Sequence, residues 1–342
     1  MVQTLNFAII GTGGIAGDFA QALQSSSRCK VVNVAGTSAA KARAFQERFG
    51  LPRSADSVEQ LLSDPHVGAV YIASPHPFHA DHAIRCLRAK KAVLCEKPLT
   101  LDASTTQRVI EVAKEENVFL MEAFMYRCHP LMRELTARLR AGVIGKIRHV
   151  RADFAFRVPR DPEGRLFNPR LGGGGILDVG GYPVSFARYI AGMIEGAAFA
   201  EPTELSAWAR LGPTGTDELA TALLTFASGF TAEVTSGVSY EVGRTAVIFG
   251  DEGRIVLPDP WIPSSDRQSL QTEFTIHRDG AAPETVTVRT DKPTYAIEAE
   301  FVADTLPAIE AQSPAMSWAD TLGNMRVLDR WHAAIGVQVS AR

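Results

Sequence analysis

The sequence predicts an α/β protein with two domains: an N-terminal, doubly wound parallel sheet and a C-terminal α+β domain with a large, mostly antiparallel open sheet. Its 342 residues exceed what one hydrophobic core usually supports. Up to about residue 125, short apolar runs alternate with amphipathic stretches of helical period, a pattern typical of βαβ units. From Glu204 to about Val288, apolar and polar residues alternate with period two, which is typical of antiparallel strands. We therefore expect domains at 1–125 and 126–342.

The composition indicates a globular protein that acts on small molecules. A formal net charge of −3 and the lack of a Lys/Arg block argue against nucleic acid or a membrane surface as the main partner. No apolar run has the length that spans a bilayer, and no secretory pattern precedes the first strand. The four cysteines form no C-x-x-C pair, which fits a reducing compartment. We expect a cytoplasmic protein.

The first unit carries a dinucleotide-binding pattern. Leu5–Ile10 is an apolar run, and Gly-Thr-Gly-Gly-Ile-Ala follows it before an amphipathic stretch to about Ser25. In this G-x-G-x-x-A spacing, the first glycine allows a tight turn, the second lets the backbone approach a pyrophosphate, and the alanine lets the helix pack closely. A second apolar run, Lys30–Ala35, lies at the βαβ distance. The pattern predicts a Rossmann domain whose cofactor contacts are Gly11, Thr12, Gly13, Gly14 and Ile15.

The end of the second strand indicates which cofactor binds. NAD-binding domains place an acid there for the ribose hydroxyls, whereas a basic residue accommodates the 2'-phosphate of NADP. This chain has Gly36, Thr37 and Ser38 at that point, and Lys41 and Arg43 follow one turn into the next helix. We expect Thr37, Ser38 and Lys41 to contact the cofactor, with NADP(H) favoured and NAD(H) possible. In the alternative interpretation, both basic residues only cover an exposed helix face.

The following units continue the alternation. We expect helices at 39–49, 57–62 and 103–116. We expect buried strands at 67–73, 91–95 and 118–123. A Ser-Pro-His-Pro-Phe-His loop follows the strand at 67–73. We expect this loop to line the site of the nicotinamide and the ribose, with Ser74, Pro75 and His79 as cofactor contacts. Its histidines have a spacing that metal ligands also show, but no cysteine or carboxylate set completes a tetrahedral site. We therefore expect no metal.

The strand at 91–95 ends abruptly in an acid, a base and a proline. Pro98 stops this strand because it has no amide hydrogen and a fixed φ. A lysine at the carboxyl end of a buried strand stands where open α/β sheets bind their ligands. Glu96 and Lys97 are therefore candidate cofactor contacts, and Lys97 is also a candidate catalytic residue. The alternative is a solvated strand end at which the two charges neutralise each other.

The second domain begins with a helix at 130–141 and a strand at 147–156. Four consecutive glycines follow at 172–175, and they indicate either a close backbone approach or a flexible surface loop. Asp178 and Tyr182 share a face if their stretch is helical.

The remaining strands are expected at 205–211, 220–226, 231–236, 245–249, 253–257, 273–277 and 284–288. Such a sheet has helices on one face and an open second face. An open apolar face suggests a subunit interface, so we expect a homodimer. Two helices, at 296–306 and 318–335, end the chain.

Four motifs together resemble the family of glucose-fructose oxidoreductase, inositol dehydrogenase and rhizopine-catabolism proteins (Gfo/Idh/MocA) over essentially the whole chain. They are the glycine loop at 11–16, Cys-Glu-Lys-Pro at 95–98, Met-Glu-Ala-Phe-Met-Tyr-Arg at 121–127 and the run at 172–182. The resemblance implies that Lys97 lies beside both the nicotinamide and the substrate hydroxyl. It also implies substrate contacts for Tyr126, Arg127, Asp178 and Tyr182.

Position 182 indicates a subgroup. Inositol dehydrogenases carry a histidine four residues after the aspartate, whereas this chain has Tyr182 four residues after Asp178. This departure resembles dimeric dihydrodiol dehydrogenase, NADP-linked D-xylose dehydrogenase and glucose-fructose oxidoreductase, in which a tyrosine serves as acid/base. The resemblance implies that Lys97, Asp178 and Tyr182 are catalytic and that the substrate is a sugar, a polyol or a cyclic diol.

Two functions remain open at this stage. The first is an NAD(P)-dependent dehydrogenase or reductase that interconverts hydroxyl and carbonyl groups. The second is a catalytically silent regulator that senses the cofactor or a sugar on the same fold. The joint presence of Lys97, Asp178 and Tyr182 favours the enzyme, because a sensor has no need of a proton donor. Either Lys97 or Tyr182 could deliver that proton.

Overall fold

The computed structural model describes residues 4–264 and 270–338 and divides the chain into two compact units. Among the described residues, the first unit comprises 4–100, 104–128 and 291–321. The second comprises 101–103, 129–264, 270–290 and 322–338. The compact unit that begins the chain therefore includes a late segment, whereas the sequence predicted one cut between residues 125 and 126.

The first unit contains a five-stranded parallel sheet in the order β2-β1-β3-β4-β5. Its strands are β1 Leu5–Ile10, β2 Cys29–Ala35, β3 Ala69–Ile72, β4 Ala92–Glu96 and β5 Leu120–Ala123. Every residue of β3, β4 and β5 is buried, as expected for a sheet that is covered on both faces. The strand order reverses between β1 and β3, and doubly wound sheets bind ligands beyond the carboxyl ends of the strands at such a switch point. This is the predicted Rossmann-like architecture.

Seven helices accompany this sheet. They are α1 Gly14–Leu23, α2 Ala39–Phe49, α3 Val58–Leu62, α4 His79–Arg88, α5 Ala103–Glu116, α6 Met125–Cys128 and α9 Thr294–Thr305. The late helix α9 packs against α1 and α6, and its Ala299 and Val302 belong to the same apolar core as Phe7 of β1. This shared core explains why residues 291–321 group with the first unit.

The second unit contains a nine-stranded sheet in the order β14-β13-β12-β11-β6-β9-β8-β7, and β10 pairs with β6 beside that path. The strands are β6 Ile147–Arg157, β7 Glu204–Leu211, β8 Asp217–Thr225, β9 Thr231–Gly237, β10 Ser239–Gly243, β11 Ala246–Gly250, β12 Gly253–Leu257, β13 Gln271–Arg278 and β14 Glu284–Arg289. The pairing is antiparallel except between β6 and β9. The sheet is therefore mostly antiparallel, as predicted, and only β10 was missed among its strands.

One face of this sheet is covered and the other is open. Helix α8, Gly181–Glu195, packs on β6 and β9, and the small residues Ala222 of β8 and Ala232 of β9 are fully buried. On the opposite face, Trp208 of β7 is 61% exposed and Leu223 of β8 is 46% exposed. Helices α7 Pro130–Arg140 and α10 Trp318–Ala334 complete the fold. Among the described residues, none of the helices combines the length and the apolar character that crossing a bilayer requires.

Candidate active site

The loop after β1 has the geometry that a pyrophosphate requires. Gly11 has φ +120°, and a Cβ there would lie 2.5 Å from the carbonyl oxygen of Ala73, so only glycine fits. Gly13 precedes α1 without a side-chain cap. A Cβ on Gly13 or Gly14 would meet nothing within 4 Å. The loop therefore leaves open space in front of an uncapped helix N-terminus, which is a ready anion site.

The end of β2 has the composition expected of an NADP site. Thr37, Ser38 and Lys41 are all exposed, and a Cβ at Gly36 would lie 3.0 Å from the methyl carbon of Thr12. The segment after β2 is thus packed against the glycine loop. The hydroxyl of Ser38 accepts a hydrogen bond from the backbone amide of Lys41 at 3.3 Å, so Ser38 also caps α2.

His79 links two loops of the carboxyl edge. Its ring is fully buried, with Nδ1 2.8 Å from the carbonyl oxygen of Pro98 and Nε2 2.7 Å from that of Ser74. Burial lowers the pKa of His79 to about 4, so the ring is neutral and donates to one of the two carbonyls at a time. The Ser74 hydroxyl is 3.0 Å from Nδ1 of His82. His79 thus supports the Ser74-Pro75 and Lys97-Pro98 segments from inside, and its direct contact with a cofactor stays a prediction.

Lys97 stands at the end of β4 on a buried support. Glu96 is buried, accepts a hydrogen bond from the hydroxyl of Tyr71 and accepts another from the backbone amide of Lys97 at 3.3 Å. Lys97 itself is half-buried. Glu96 is therefore not a solvated carboxylate, as the alternative from the sequence required, because it is buried and bonded to a tyrosine; a catalytic role for Lys97 stays a prediction.

Glu122 on β5 is a site residue that the sequence analysis did not single out. It lies beside Cys95 in the parallel register of β4 and β5, is 3% exposed, and accepts a hydrogen bond from the amide of Leu99 at 2.9 Å. Burial raises the pKa of Glu122 to about 7, against the opposing effect of the Leu99 amide. A single carboxyl group in the otherwise apolar run Val-Phe-Leu-Met-Glu-Ala was the signal that could have identified it.

Tyr126 and Arg127 occupy interior positions. Both are 0% exposed. Arg127 donates to the carboxylate of Asp320 at 2.9 Å and to the carbonyl oxygen of Pro314 at 2.5 Å. This buried ion pair joins two segments of the first unit that are distant in sequence. A substrate contact by either residue, which the family resemblance implies, therefore stays a prediction, and these two contacts of Arg127 are structural.

In the second unit, the glycine run positions Asp178 and Tyr182. Gly174 has φ +117°, and a Cβ there would overlap the carboxylate of Asp217. The other oxygen of Asp217 accepts a hydrogen bond from the amide of Ile176 at 2.7 Å. The glycines thus serve a close backbone approach within the chain. A π-helical turn, Ile176–Gly180, then leads directly into α8, and such turns are frequent at functional sites.

Asp178 and Tyr182 are both buried and each has a defined partner. Arg165 donates to a carboxylate oxygen of Asp178 at 2.6 Å. The ring of Tyr182 packs edge-on against Phe154 at 5.1 Å and lies 6.2 Å from the ring of Trp261. The aromatic neighbours hold the phenol in one orientation. Arg165 was not predicted, because nothing local in the sequence connects it with Asp178.

The predicted catalytic residues are divided between the two units, with Lys97 in the first and Asp178 and Tyr182 in the second. The glycine loop of the first unit leaves room for the pyrophosphate of a dinucleotide. The second unit offers a phenol, a carboxylate and a guanidinium. Within the described residues, we find no group of three or more His, Cys, Asp or Glu side chains that could hold a metal ion.

Two family models match the chain. Residues 5–124 match the oxidoreductase family with an NAD-binding Rossmann fold, and residues 132–256 match the GFO/IDH/MocA C-terminal domain. Trans-1,2-dihydrobenzene-1,2-diol dehydrogenase from Mus musculus is 37% identical over 264 residues, which are 77% of each chain. The enzyme of that name from Xenopus tropicalis is 31% identical over 341 residues, 97% of this chain and 98% of its own.

A solved structure is similar over the same extent. The crystal structure of a 3-ketoreductase from Actinomadura kijaniata, in complex with NADP and TDP-benzene, aligns with a TM-score of 0.84 at 29% identity, covering 97% of this chain and 98% of its own. Variants of that 3-ketoreductase with one tyrosine or one lysine replaced align with TM-scores of 0.83 and 0.80.

Proposed function

Since this chain belongs to the GFO/IDH/MocA family of oxidoreductases, we propose that it is an NADP(H)-preferring dehydrogenase or reductase of a sugar, a polyol or a cyclic diol. The observation that carries the proposal is the half-buried Lys97, which a buried and hydrogen-bonded Glu96 supports at the carboxyl edge of a Rossmann sheet. This edge is where such sheets bind a nucleotide.

The substrate class follows from chemistry that the relatives share. The mouse and frog relatives are named as dehydrogenases of a cyclic diol, and the bacterial relative is named as a 3-ketoreductase. Both names describe the interconversion of a hydroxyl group and a carbonyl group. We therefore infer the same reaction type for this chain, in which a nicotinamide supplies or accepts the hydride when bound.

Three side chains are proposed to serve the substrate oxygen. Hydride transfer to a carbonyl builds negative charge on that oxygen, which needs a proton. The Tyr182 phenol can donate it, with Asp178 fixing the local geometry, or the Lys97 ammonium can donate it. The 3-ketoreductase has been crystallised with one lysine and with one tyrosine replaced, and these are the residue types proposed here.

The preference for NADP(H) rests on the missing acid after β2. Thr37, Ser38 and Lys41 are exposed there, so a 2'-phosphate would meet hydroxyl groups and a cation in place of a carboxylate. Replacing Thr37 with Asp should weaken NADP binding by roughly 10- to 100-fold, because like charges would face each other. Asn has the shape of Asp without its charge, so the Thr37→Asn variant should still bind NADP more tightly than NAD. Calorimetric titration of both cofactors tests this, and tighter NAD binding to the unmodified protein contradicts it.

We also propose a homodimer through the open face of the nine-stranded sheet. Trp208 and Leu223 lie there on neighbouring strands β7 and β8. Large exposed apolar side chains in a contiguous patch are typical of an interface.

The activity itself is tested by a substrate panel. Aldoses, polyols and dihydrodiols are offered with NADP or NAD, and ketoses or ketosugars with the reduced cofactors, and absorbance at the reduced-nicotinamide band is followed. We expect turnover with at least one class and faster turnover with NADP(H). Binding of NADP without turnover of any class, at cofactor saturation, would favour the regulatory interpretation instead.

A further inference from the structure

The segment after β4, residues 97–100, is held by hydrogen bonds from several buried side chains; we call it the Lys97 loop. Glu96 binds the amide of Lys97, and the His79 ring lies 2.8 Å from the carbonyl oxygen of Pro98. Glu122 binds the amide of Leu99 at 2.9 Å. The hydroxyl groups of Thr100 and Thr106 are 2.6 Å apart. Each residue of the loop is therefore fixed, and two of the groups that fix it are carboxyl groups.

Glu122 is the one of these carboxyl groups that approaches from the neighbouring strand. It is 3% exposed, and its oxygen Oε2 has no hydrogen-bond partner among the residues that the structure describes. Its bond to the loop is therefore the one from the Leu99 amide to Oε1. A charged carboxylate accepts such a bond about twice as strongly as a neutral carboxylic acid.

We propose that Glu122 is a positioning residue for the reaction: its ionised carboxylate holds the Lys97 loop in the geometry that turnover requires, and turnover falls when this carboxylate takes up a proton. The inference rests on the proposed role of Lys97. It adds a residue that does not itself touch the substrate or the cofactor and that acts through the backbone of Leu99.

Several charged and polar groups near Glu122 affect its ionisation, in addition to burial. The ammonium of Lys97 favours its ionised form, as do the Leu99 amide and the Thr321 hydroxyl, whereas the carboxylate of Asp320 opposes it. Asp320 is in turn paired with Arg127. On the adjacent strand, burial raises the pKa of Cys95 well above its ordinary value, so that thiol stays neutral.

The direction of the pH effect follows. Burial raises the pKa of Glu122 to about 7, so the group is mostly protonated in mildly acidic solution and mostly ionised in mildly alkaline solution. Turnover at saturating cofactor should therefore fall by roughly tenfold in total as the pH drops from about 8 to about 6, and it should then level off at the turnover of the protonated form. Turnover should therefore depend on pH within the physiological range.

The kinetic test compares three variants of the full chain. Glu122→Gln keeps the size and an acceptor oxygen but cannot titrate. Its kcat should therefore no longer fall in acid, the fall that we call the acidic limb of the pH profile, and should stay roughly 10-fold below the alkaline plateau of the unmodified enzyme. Glu122→Asp has a titrating carboxyl group and should show an acidic limb again. Thr106→Val removes an uncharged contact to the same loop and should keep the limb near its original pH. The dissociation constant for NADP should change less than about threefold in Glu122→Gln, since Glu122 is only 3% exposed and acts, in this proposal, through the backbone of Leu99.

A second readout needs neither a variant nor a substrate. Hydrogen exchange of the Leu99 amide, corrected for its intrinsic rate, should slow in the unmodified protein as the pH rises from about 6 to about 8, because the bond to Glu122 strengthens. Constant protection over that range overturns the proposal, as does a Glu122→Gln enzyme that keeps the acidic limb or a Thr106→Val enzyme that loses it. Full turnover in Lys97→Met would instead refute the proposed role of Lys97, whatever the Leu99 amide does.

Discussion

The two sheets of this protein place their functional residues in opposite ways. The parallel sheet is buried on both faces, so candidate residues such as Gly11 and Lys97 lie where its strands end. The nine-stranded sheet is buried on one face, and strand β7 has no buried residue at all. Its candidate residues therefore lie on faces: Tyr182 on the helix that covers one face, and Trp208 on the other.

Because of this difference, we expect the two regions to respond differently to substitution. At the carboxyl edge of the parallel sheet, the glycine loop lies close to its neighbours or faces open space, so we expect a single added carbon there to impair folding or cofactor binding. On the faces of the nine-stranded sheet, side chains make the contacts, so a substitution should change one surface and leave the other unaffected.

The largest effect is expected at the edge of the parallel sheet. Gly11→Ala places a Cβ 2.5 Å from the carbonyl oxygen of Ala73 at a φ of +120°, so we expect the free energy of unfolding to fall by about 3 kcal/mol or more. Gly13→Ala is the matched control, because a Cβ there meets nothing within 4 Å. It should unfold within about 1 kcal/mol of the unmodified protein but bind NADP more weakly. Denaturant titration and calorimetry measure both, and equal stability of the two variants would remove the contrast.

The next effect concerns the open face of the nine-stranded sheet. Trp208→Glu together with Leu223→Lys should raise the dimer dissociation constant by roughly 30-fold or more, as removal of a central interface residue commonly does. Phe78→Ser is the control, since Phe78 is 51% exposed but belongs to the first unit. Sedimentation velocity at several concentrations gives the association state. A monomeric unmodified protein, or a variant that still dimerises, argues against an interface on this face.

The smallest expected effect concerns α9, the late helix of the first unit. Glu298 is fully buried, and neither carboxylate oxygen has a hydrogen-bond partner within 4–264 and 270–338. Burial and the charge of Glu96 raise the pKa of Glu298 well above its ordinary value. A raised pKa in the folded state means that the unfolded chain releases this proton first. Stability from the neutral form is therefore complete in acid and is lost as the pH rises above the unfolded pKa.

Glu298→Met should consequently be more stable than the unmodified protein by about 1–3 kcal/mol at pH near 8, with a smaller gain near pH 5. Glu300→Met on the same helix is the matched control. Glu300 accepts hydrogen bonds from Ser26 and Lys292 at 2.6 and 2.8 Å, so its replacement should destabilise. Denaturant titrations at both pH values decide the matter. A Glu298→Met variant that is destabilised at every pH would mean that the carboxyl group has a partner that stabilises it.

Local sequence patterns predicted most of the elements. Helices α2 and α5 have the predicted bounds of 39–49 and 103–116. Their apolar periodicity and the residues that end them are local signals, which can be identified from the sequence. Strand β10 and helix α6 were missed since each has only four or five residues. The grouping of 291–321 with the first unit was also missed. It depends on the packing of α9 against α1, which no local pattern encodes.

The candidate site divides in the same way. The glycine loop and Lys97 could be identified from motifs, because their chemistry depends on backbone conformation and on strand ends. The support from His79, the bond from Glu122 and the pairing of Arg165 with Asp178 could not, because they depend on long-range contacts. Arg127 illustrates this: its partner Asp320 is 193 residues away, and the family resemblance implied only a substrate contact for Arg127, which stays a prediction.

The most direct test of the central claim is turnover of the variants Lys97→Met, Tyr182→Phe and the double variant, measured with the best substrate at saturating NADP(H). We expect each single variant to lose roughly 10²- to 10⁴-fold in kcat, with little change in cofactor affinity. The double variant should be scarcely worse than the poorer single one, because the two residues act as one unit. Turnover that survives Tyr182→Phe but not Lys97→Met would assign the proton to Lys97. Full activity in both single variants would contradict the account.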